Sequence, residues 1–317
     1  MIKKRVVGVI GIGHVGAHVA YSLGIQGFAD EILLCDAKDD KLVSERQDLM
    51  DAAKFMPHHV NYRIVAYEEL AECDIIVNCI GDISLCATGN RDDEMNYTIK
   101  QVNEYIPKVM AGGFTGYIVN ITNPCDVVTH LIAKLSGLPT GHVMGTGTGL
   151  DTSRLVSAIS QQTGIDSKSI IAYMMGEHGN SQMIPWSIIT FGGKPLAELE
   201  QDAKFHFDKK DIQERTINGG WVTYKGKHCT EYGISSTAAS MVNIIYHDEK
   251  QIIPASVELT GEYGEVGIFA GCPAIIGGNG VEKVMEYELP AVELQEFKEC
   301  CAKIRGNIAK AEKLLKD

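Results

Sequence analysis

Along the first half of the chain, short unbroken apolar runs alternate with longer stretches in which apolar residues return every three or four positions. "RVVGVI" (5–10), "EILLCD" (31–36), "YRIVAY" (62–67), "DIIVNCI" (74–80) and "GYIVNIT" (116–122) are too short for helices and apolar throughout, the pattern of strands buried on both faces. Between them, "HVGAHVAYSLGIQG", "KDDKLVSERQDLMDAAKFM" and "RDDEMNYTIKQVNEYIPKVMAGG" carry helical periodicity. The second of these has acidic residues at its start, where the helix dipole favours them, and the third has Asn90 as N-cap and Gly112 as stop. Strands alternating with helices predict an α/β domain: a doubly wound parallel sheet covered on both faces. Past Met144 the alternation ends. "SIIAYMM", "MIPWSIITFGG", "QIIPASVEL" and "EVGIFAGCPAIIGG" read as strands, whereas "DIQERTINGGWVTYK", "GISSTAASMVNIIYH" and "AVELQEFKECCAKIRGNIAKAEKLL" read as helices. The last has an apolar stripe (Val292, Phe297, Cys300, Cys301, Ile304, Ile308, Leu314) that should pack along the outside. The expectation is a first domain over 1–144 and a mixed α+β domain over 145–317.

The first strand ends in "GIGHVG", which places Gly11, Gly13 and Gly16 in a G-x-G-x-x-G pattern that opens a helix. The first glycine allows the tight turn and the second lets backbone approach a pyrophosphate. The third lets the helix pack close to the strand. Asp36 ends the second strand 20 residues after Gly16, the separation at which a carboxylate reaches ribose hydroxyls. That context makes the first domain Rossmann-type. Asp36 would repel a ribose phosphate, and Ala37 and Lys38 follow it rather than an arginine, so the cofactor expected is NAD.

Composition narrows the class. Hydrophobic residues at 45% and charged residues at 22% are ordinary globular values. A net charge of −12 without a basic stripe argues against nucleic acid as a partner. No apolar run reaches the length of a membrane span, so no membrane is expected. The nine cysteines are odd in number and show no C-x-x-C spacing, which predicts neither a zinc site nor a disulfide framework and fits a reducing cytoplasm.

"MGEHGNSQ" (175–182) sets Glu177 and His178 between Gly176 and Gly179, in a turn that a ligand can approach closely. Imidazole titrates near neutrality and suits a general acid or base, provided an acceptor orients its second nitrogen. "GLDTSRLV" (149–156) offers Asp151 for that purpose and Arg154, three residues on and on the same helix face, for a substrate carboxylate.

"GTGTGLDTSR", "MGEHGNSQ" and "NITNPCDVVTHL" resemble the L-lactate/malate dehydrogenase superfamily, and the resemblance runs from the first strand to the last helix. "GEHGNSQMIPWS" and "CPAIIGGNG" look closer to its L-2-hydroxyisocaproate dehydrogenase branch. The resemblance implies an NAD-dependent L-2-hydroxyacid dehydrogenase that is a homotetramer or dimer, the tetramer favoured. It makes His178 the acid/base, Asp151 its partner and Arg91 the mobile-loop cation that polarises the carbonyl. Arg154, Asn123 and Thr230 would hold substrate, and Asn123 also borders the nicotinamide. Gly81, which opens the loop, joins Gly11, Gly13, Gly16 and Asp36 in the cofactor set.

Two departures bear on substrate and regulation. Malate dehydrogenases carry an arginine in the loop for a second carboxylate; here the candidate positions are Ile83, Ser84 and Leu85. An unpaired buried carboxylate costs several kcal/mol, on the order of a thousandfold in discrimination. Leu85 instead offers an apolar surface, so 2-oxo monocarboxylic acids with branched chains, such as 2-oxoisocaproate, are expected. The alternative is a pyruvate-reducing L-lactate dehydrogenase. The positions that bind fructose 1,6-bisphosphate in activated lactate dehydrogenases are Val156 and Ile171 here, neither able to hold phosphate. A reading of another class is an NAD-sensing binding protein without turnover, but such a protein would not need His178, Asp151, Arg154 and Arg91 together.

Overall fold

The computed structural model describes residues 3–82, 84–85 and 91–315, and side chains 91–93 are left out of the description. β1 (Val6–Ile10), α1 (His14–Ile25), β2 (Glu31–Cys35), α2 (Asp39–Ala53) and β3 (Asn61–Ile64) form the first unit. β4 (Ile75–Asn78), α3 (Arg91–Ala111), β5 (Tyr117–Asn120), α4 (Cys125–Ser136) and β6 (Val143–Gly145) form the second. β1 is buried from its second residue onward and pairs in parallel with both β2 and β4. The chain therefore winds outward from β1 in one direction to β3 and in the other to β6. That reversal opens a crevice beyond the carboxyl ends of β1 and β4, where this class of sheet takes its ligands.

The second half comprises α5 (Gly149–Thr163), β7 (Ile170–Ile171), β8 (Thr190–Phe191), β9 (Lys194–Pro195), α6 (Leu196–Leu199), α7 (Lys209–Lys227), α8 (Tyr232–Tyr246), β10 (Gln251–Thr260), β11 (Val266–Gly277), β12 (Gly280–Val284) and α9 (Ala291–Leu314). Its three long strands do not form a separate sheet. β10 pairs antiparallel with β6 at Ser256↔Gly145, which gives the order β12-β11-β10-β6-β5-β4-β1-β2-β3. Gly145 and Gly147 permit this join: a Cβ on Gly145 would lie 2.6 Å from the Thr129 hydroxyl, and one on Gly147 2.4 Å from the Ser256 amide. A continuous apolar core runs beneath the sheet into α8 and α9. A smaller cluster (Leu155, Ile159, Met174, Ile184, Ile189, Phe191, Ile212) lies under β7–β9.

Two expected strands are mostly irregular. In "SIIAYMM" only Ile170–Ile171 is strand; the following residues run through the interior and are held by single bridges, Met175 to Met183 and Gly176 to Gly271. In "MIPWSIITFGG", Pro185 precedes a 3-10 turn at Trp186–Ile188, leaving Thr190–Phe191 as strand. Both segments are apolar because they are enclosed, which periodicity alone cannot separate from sheet. α9 buries Phe297, Cys300, Cys301, Ile304 and Ile308 as its stripe predicts, but Val292 is 70% exposed. Asn90 lies outside the described residues, and α3 ends at Ala111, immediately before Gly112.

Gly16 sets how closely α1 lies on β1: an added Cβ would sit 1.9 Å from the Gly11 carbonyl oxygen. Backbone cannot swing aside as a side-chain tip would. Gly16→Ala is expected to cost about 1–3 kcal/mol, read by urea denaturation, and to weaken dinucleotide binding. A variant of wild-type stability and affinity would contradict this packing.

Candidate active site

Loops from the carboxyl ends of four parallel strands meet at the crevice. Gly13 follows β1, Cys79–Asp82 follow β4, Ile121–Asn123 follow β5 and Thr146 follows β6. Together with α5, α7, α8 and the 178–182 turn they line one cleft of about 410 Å³. Of the residues singled out in the sequence, Gly13, Gly81, Asn123, Asp151, Arg154, His178 and Thr230 line it. Gly11 and Gly16 stand behind it in the glycine turn. Asp36 is fixed beside that turn, accepting from the Ile12 amide at 2.6 Å and the Lys38 amide at 2.9 Å.

Leu85 donates its amide to the Asp82 carbonyl and is not among the described residues lining the cleft. Ile83 and Gly89 lie outside the described residues, as does the Arg91 side chain. Arg91 heads α3, and Glu94 one turn later is buried and lines the cleft, so this helix end faces the site.

The reactive geometry centres on Asp151. Placed in the first turn of α5 and 1% exposed, it accepts from His178 Nδ1 at 2.6 Å and from the Arg154 guanidinium at 2.9 Å. Burial alone would raise its carboxyl; His178 and Arg154 outweigh that and hold it below the usual range. One carboxylate thus orients both the imidazole and the guanidinium. Gly219 and Gly220 of α7 lie against Arg154, where a Cβ on Gly220 would approach the guanidinium to 3.5 Å.

Several further side chains are brought to the histidine turn by the fold. Asp126, in the first turn of α4, accepts from the His178 amide at 2.8 Å and from the Ser256 hydroxyl at 2.6 Å. Complete burial pushes its carboxyl up to about 6. On the far side of the turn, Glu177 accepts from Lys303 of α9 and from Ser181, both at 2.6 Å. Gly176, at φ 90°, leaves room for Cys300. The turn carrying Asn123 rests on a buried polar network: Asn78 donates to Asn120 and Thr122, while Tyr105 donates to Asn78 at 2.6 Å.

The cleft fits a dinucleotide. Among the described residues, a Cβ on Gly13 would meet no atom within 4 Å, so the backbone there is open to a close ligand. The N-cap of α1, Gly13, makes no side-chain cap, so the first amides of the helix suit a diphosphate. The Asn123 Oδ1 and Gln182 Oε1 atoms are buried on the cleft wall without a hydrogen-bond partner among the described residues, ready acceptors for ligand donors. Among the described residues, no group of His, Cys, Asp and Glu side chains could hold a metal ion. No helix there is long and apolar enough to cross a membrane.

Asp126→Ala would strand the buried His178 amide and Ser256 hydroxyl, at about 1–3 kcal/mol each. The expected result is a loss of stability in denaturation and a fall in kcat, with Asp126→Asn recovering most of the stability. Wild-type stability and turnover in the alanine variant would contradict the clamp.

Comparison with known proteins agrees with this architecture. The family described as lactate/malate dehydrogenase, NAD binding domain, matches residues 5–145, and the lactate/malate dehydrogenase alpha/beta C-terminal domain matches 148–315. The chain is 39% identical over 311 residues to an L-lactate dehydrogenase of Fusobacterium nucleatum, covering 97% of each protein. It is 38% identical over 296 residues to L-lactate dehydrogenase 3 of Bacillus cereus, covering 92% of this chain and 93% of that one. The ligand-bound crystal structure of the minor L-lactate dehydrogenase from Enterococcus mundtii superposes with a TM-score of 0.92 at 31% identity, covering 97% of this chain and 98% of that one. With its glycine turn, open helix end and histidine–aspartate–arginine cluster, the chain belongs to the lactate/malate dehydrogenase family and is an NAD-dependent 2-hydroxyacid oxidoreductase.

Proposed function

We propose that the protein interconverts 2-oxo monocarboxylic acids and L-2-hydroxy acids, with apolar branched chains such as 2-oxoisocaproate preferred. The observation that carries this reading is the composition of the cleft beside Arg154. Leu150, Ile217, Trp221 and Ile234 supply an apolar wall, and Gly220 contributes no side chain. The other described cation on the cleft is Lys38, next to Asp36 of the glycine turn. A second substrate carboxylate would therefore meet apolar surface at Arg154, at a cost of several kcal/mol. Each methylene placed against that wall contributes about 0.8 kcal/mol. Leu150 on α5, Ile217 and Trp221 on α7 and Ile234 on α8 thus add to the apolar surface proposed at Leu85. Reduction of pyruvate is the second reading, favoured by the L-lactate dehydrogenases that match nearly the whole chain.

In the reducing direction, Arg154 pairs with the substrate carboxylate and fixes its orientation. Asn123 and Gln182 offer acceptors on the cleft wall. Bound NADH supplies the hydride. His178 Nε2 gives the proton to the developing alkoxide, and Asp151 stabilises the imidazolium before transfer. Arg91, at the start of α3, would polarise the carbonyl when its loop closes and excludes water. Asp36 beside the glycine turn disfavours a ribose phosphate, hence NAD over NADP. Thr230 would line the substrate side, and Val156 and Ile171 leave no phosphate site for a sugar bisphosphate. Exposed apolar side chains on α1, α2, α7 and α8 and in the turn after α2, among them Tyr21, Val43, Phe55, Val222 and Tyr232, support a homo-oligomer, tetramer before dimer.

NADH oxidation with 2-oxoisocaproate, pyruvate and oxaloacetate, compared by kcat/KM, tests the reading. The branched acid should lead and oxaloacetate trail. Gly220→Ala should lower kcat/KM for 2-oxoisocaproate several-fold more than for pyruvate, because the added methyl narrows the space beside Arg154. A lead for pyruvate, with equal effects of the substitution on both acids, would establish the second reading instead.

A further inference from the structure

The x after the second glycine of the turn is a histidine, and its surroundings give it work that the glycine pattern does not require. His14 is the first residue of α1 and lines the cleft with a side chain 69% exposed. Its Nδ1 lies 3.3 Å from Glu231, whose side chain is 11% exposed at the start of α8. The same carboxylate pairs with Lys227, the last residue of α7, and lies 4.0 Å from His18. Lys227 sits 3.8 Å above the Tyr232 ring, and His18 meets that ring edge-on at 5.3 Å. Burial would raise the Glu231 carboxyl, but Lys227, His18 and His14 outweigh it and hold it below the usual range. The α7–α8 junction that presents Cys229 and Thr230 to the cleft is thereby clasped to the helix end that faces a diphosphate.

We infer that His14, oriented by Glu231, is an additional, protonatable contact of the dinucleotide's diphosphate subsite and links cofactor affinity to the α7–α8 segment. The inference rests on the cofactor site described above. A cation at this helix end adds to the field of the α1 amides, and imidazole is the side chain that gains this charge in the neutral range. The charged groups around His14 are Glu231 and, through it, Lys227 at α7–α8; Lys38 lines the same cleft, and Asp36 accepts from the Ile12 amide in the glycine turn. His18 is the other imidazole beside Glu231. It lies one turn further along α1, its Nδ1 directed at the His14 carbonyl, and it is not among the described residues lining the cleft.

Direct titration with NADH, followed by nucleotide fluorescence at pH 6.0 and pH 8.5, tests this without turnover. The wild-type protein should bind roughly threefold to tenfold more tightly at pH 6.0, the effect of one added charge at contact range in a partly solvated site. His14→Gln should bind with nearly equal affinity at the two pH values. Glu231→Gln should weaken binding at pH 6.0, and His18→Gln should keep the wild-type dependence. Saturable binding by the wild-type protein at pH 8.5 reports on the cofactor site independently of His14. Wild-type affinity that is flat with pH, persistence of the dependence in His14→Gln, or its loss in His18→Gln would each overturn the inference.

Discussion

A single buried carboxylate organises the reactive end of the molecule. Asp151 is almost inaccessible to water, and a lone charge there would be costly; it stays ionised because His178 and Arg154 both bond to it. The dependence is mutual. Without Asp151, the imidazole has no fixed tautomer and the guanidinium no fixed fork. Three residues from two distant segments thus behave as one unit, and the rest of the structure can be understood as what brings those segments together.

The sheet does most of that. The reversal of strand order between β1 and β4 opens the crevice, and the loops after β1, β4, β5 and β6 form its walls. The antiparallel strands of the second half continue the same sheet through β6 and β10. Ser256 therefore stands where it can bond Asp126, which in turn holds the His178 amide. Lys303 and Cys300 of α9 brace the turn from the opposite side, Cys300 donating to the Ser181 carbonyl at 2.6 Å. The histidine is held by side chains of α4 and α5, and α9 braces the turn around it, so its position follows from the fold rather than from its own loop.

Much of this was readable in the chain. Parallel strands announced themselves because residues buried on both faces must be apolar throughout, and the glycine turn because only glycine fits where Gly11 and Gly16 touch backbone. His178, Asp151 and Arg154 stood out because a polar cluster between glycines, or at helical spacing, has few structural uses. What remained hidden depends on tertiary placement. Asp126, Ser256 and Lys303 are far apart in sequence and ordinary in type; only the fold makes them partners of the histidine turn. The enclosed segment 172–176 looked like strand because burial, not pairing, selects its residues. The apolar residues lining the cleft near Arg154 come from helices whose inward faces resemble any core face.

The most direct test of the central claim is the pH dependence of kcat/KM in Asp151→Asn, with NADH binding measured alongside to confirm an intact cleft. The account predicts a fall of about a hundredfold to ten-thousandfold and a shift of the histidine-controlled step to lower pH, because the charge favouring the imidazolium has gone. A loss of less than tenfold with that step unmoved would show that His178 and Arg154 do not depend on this carboxylate.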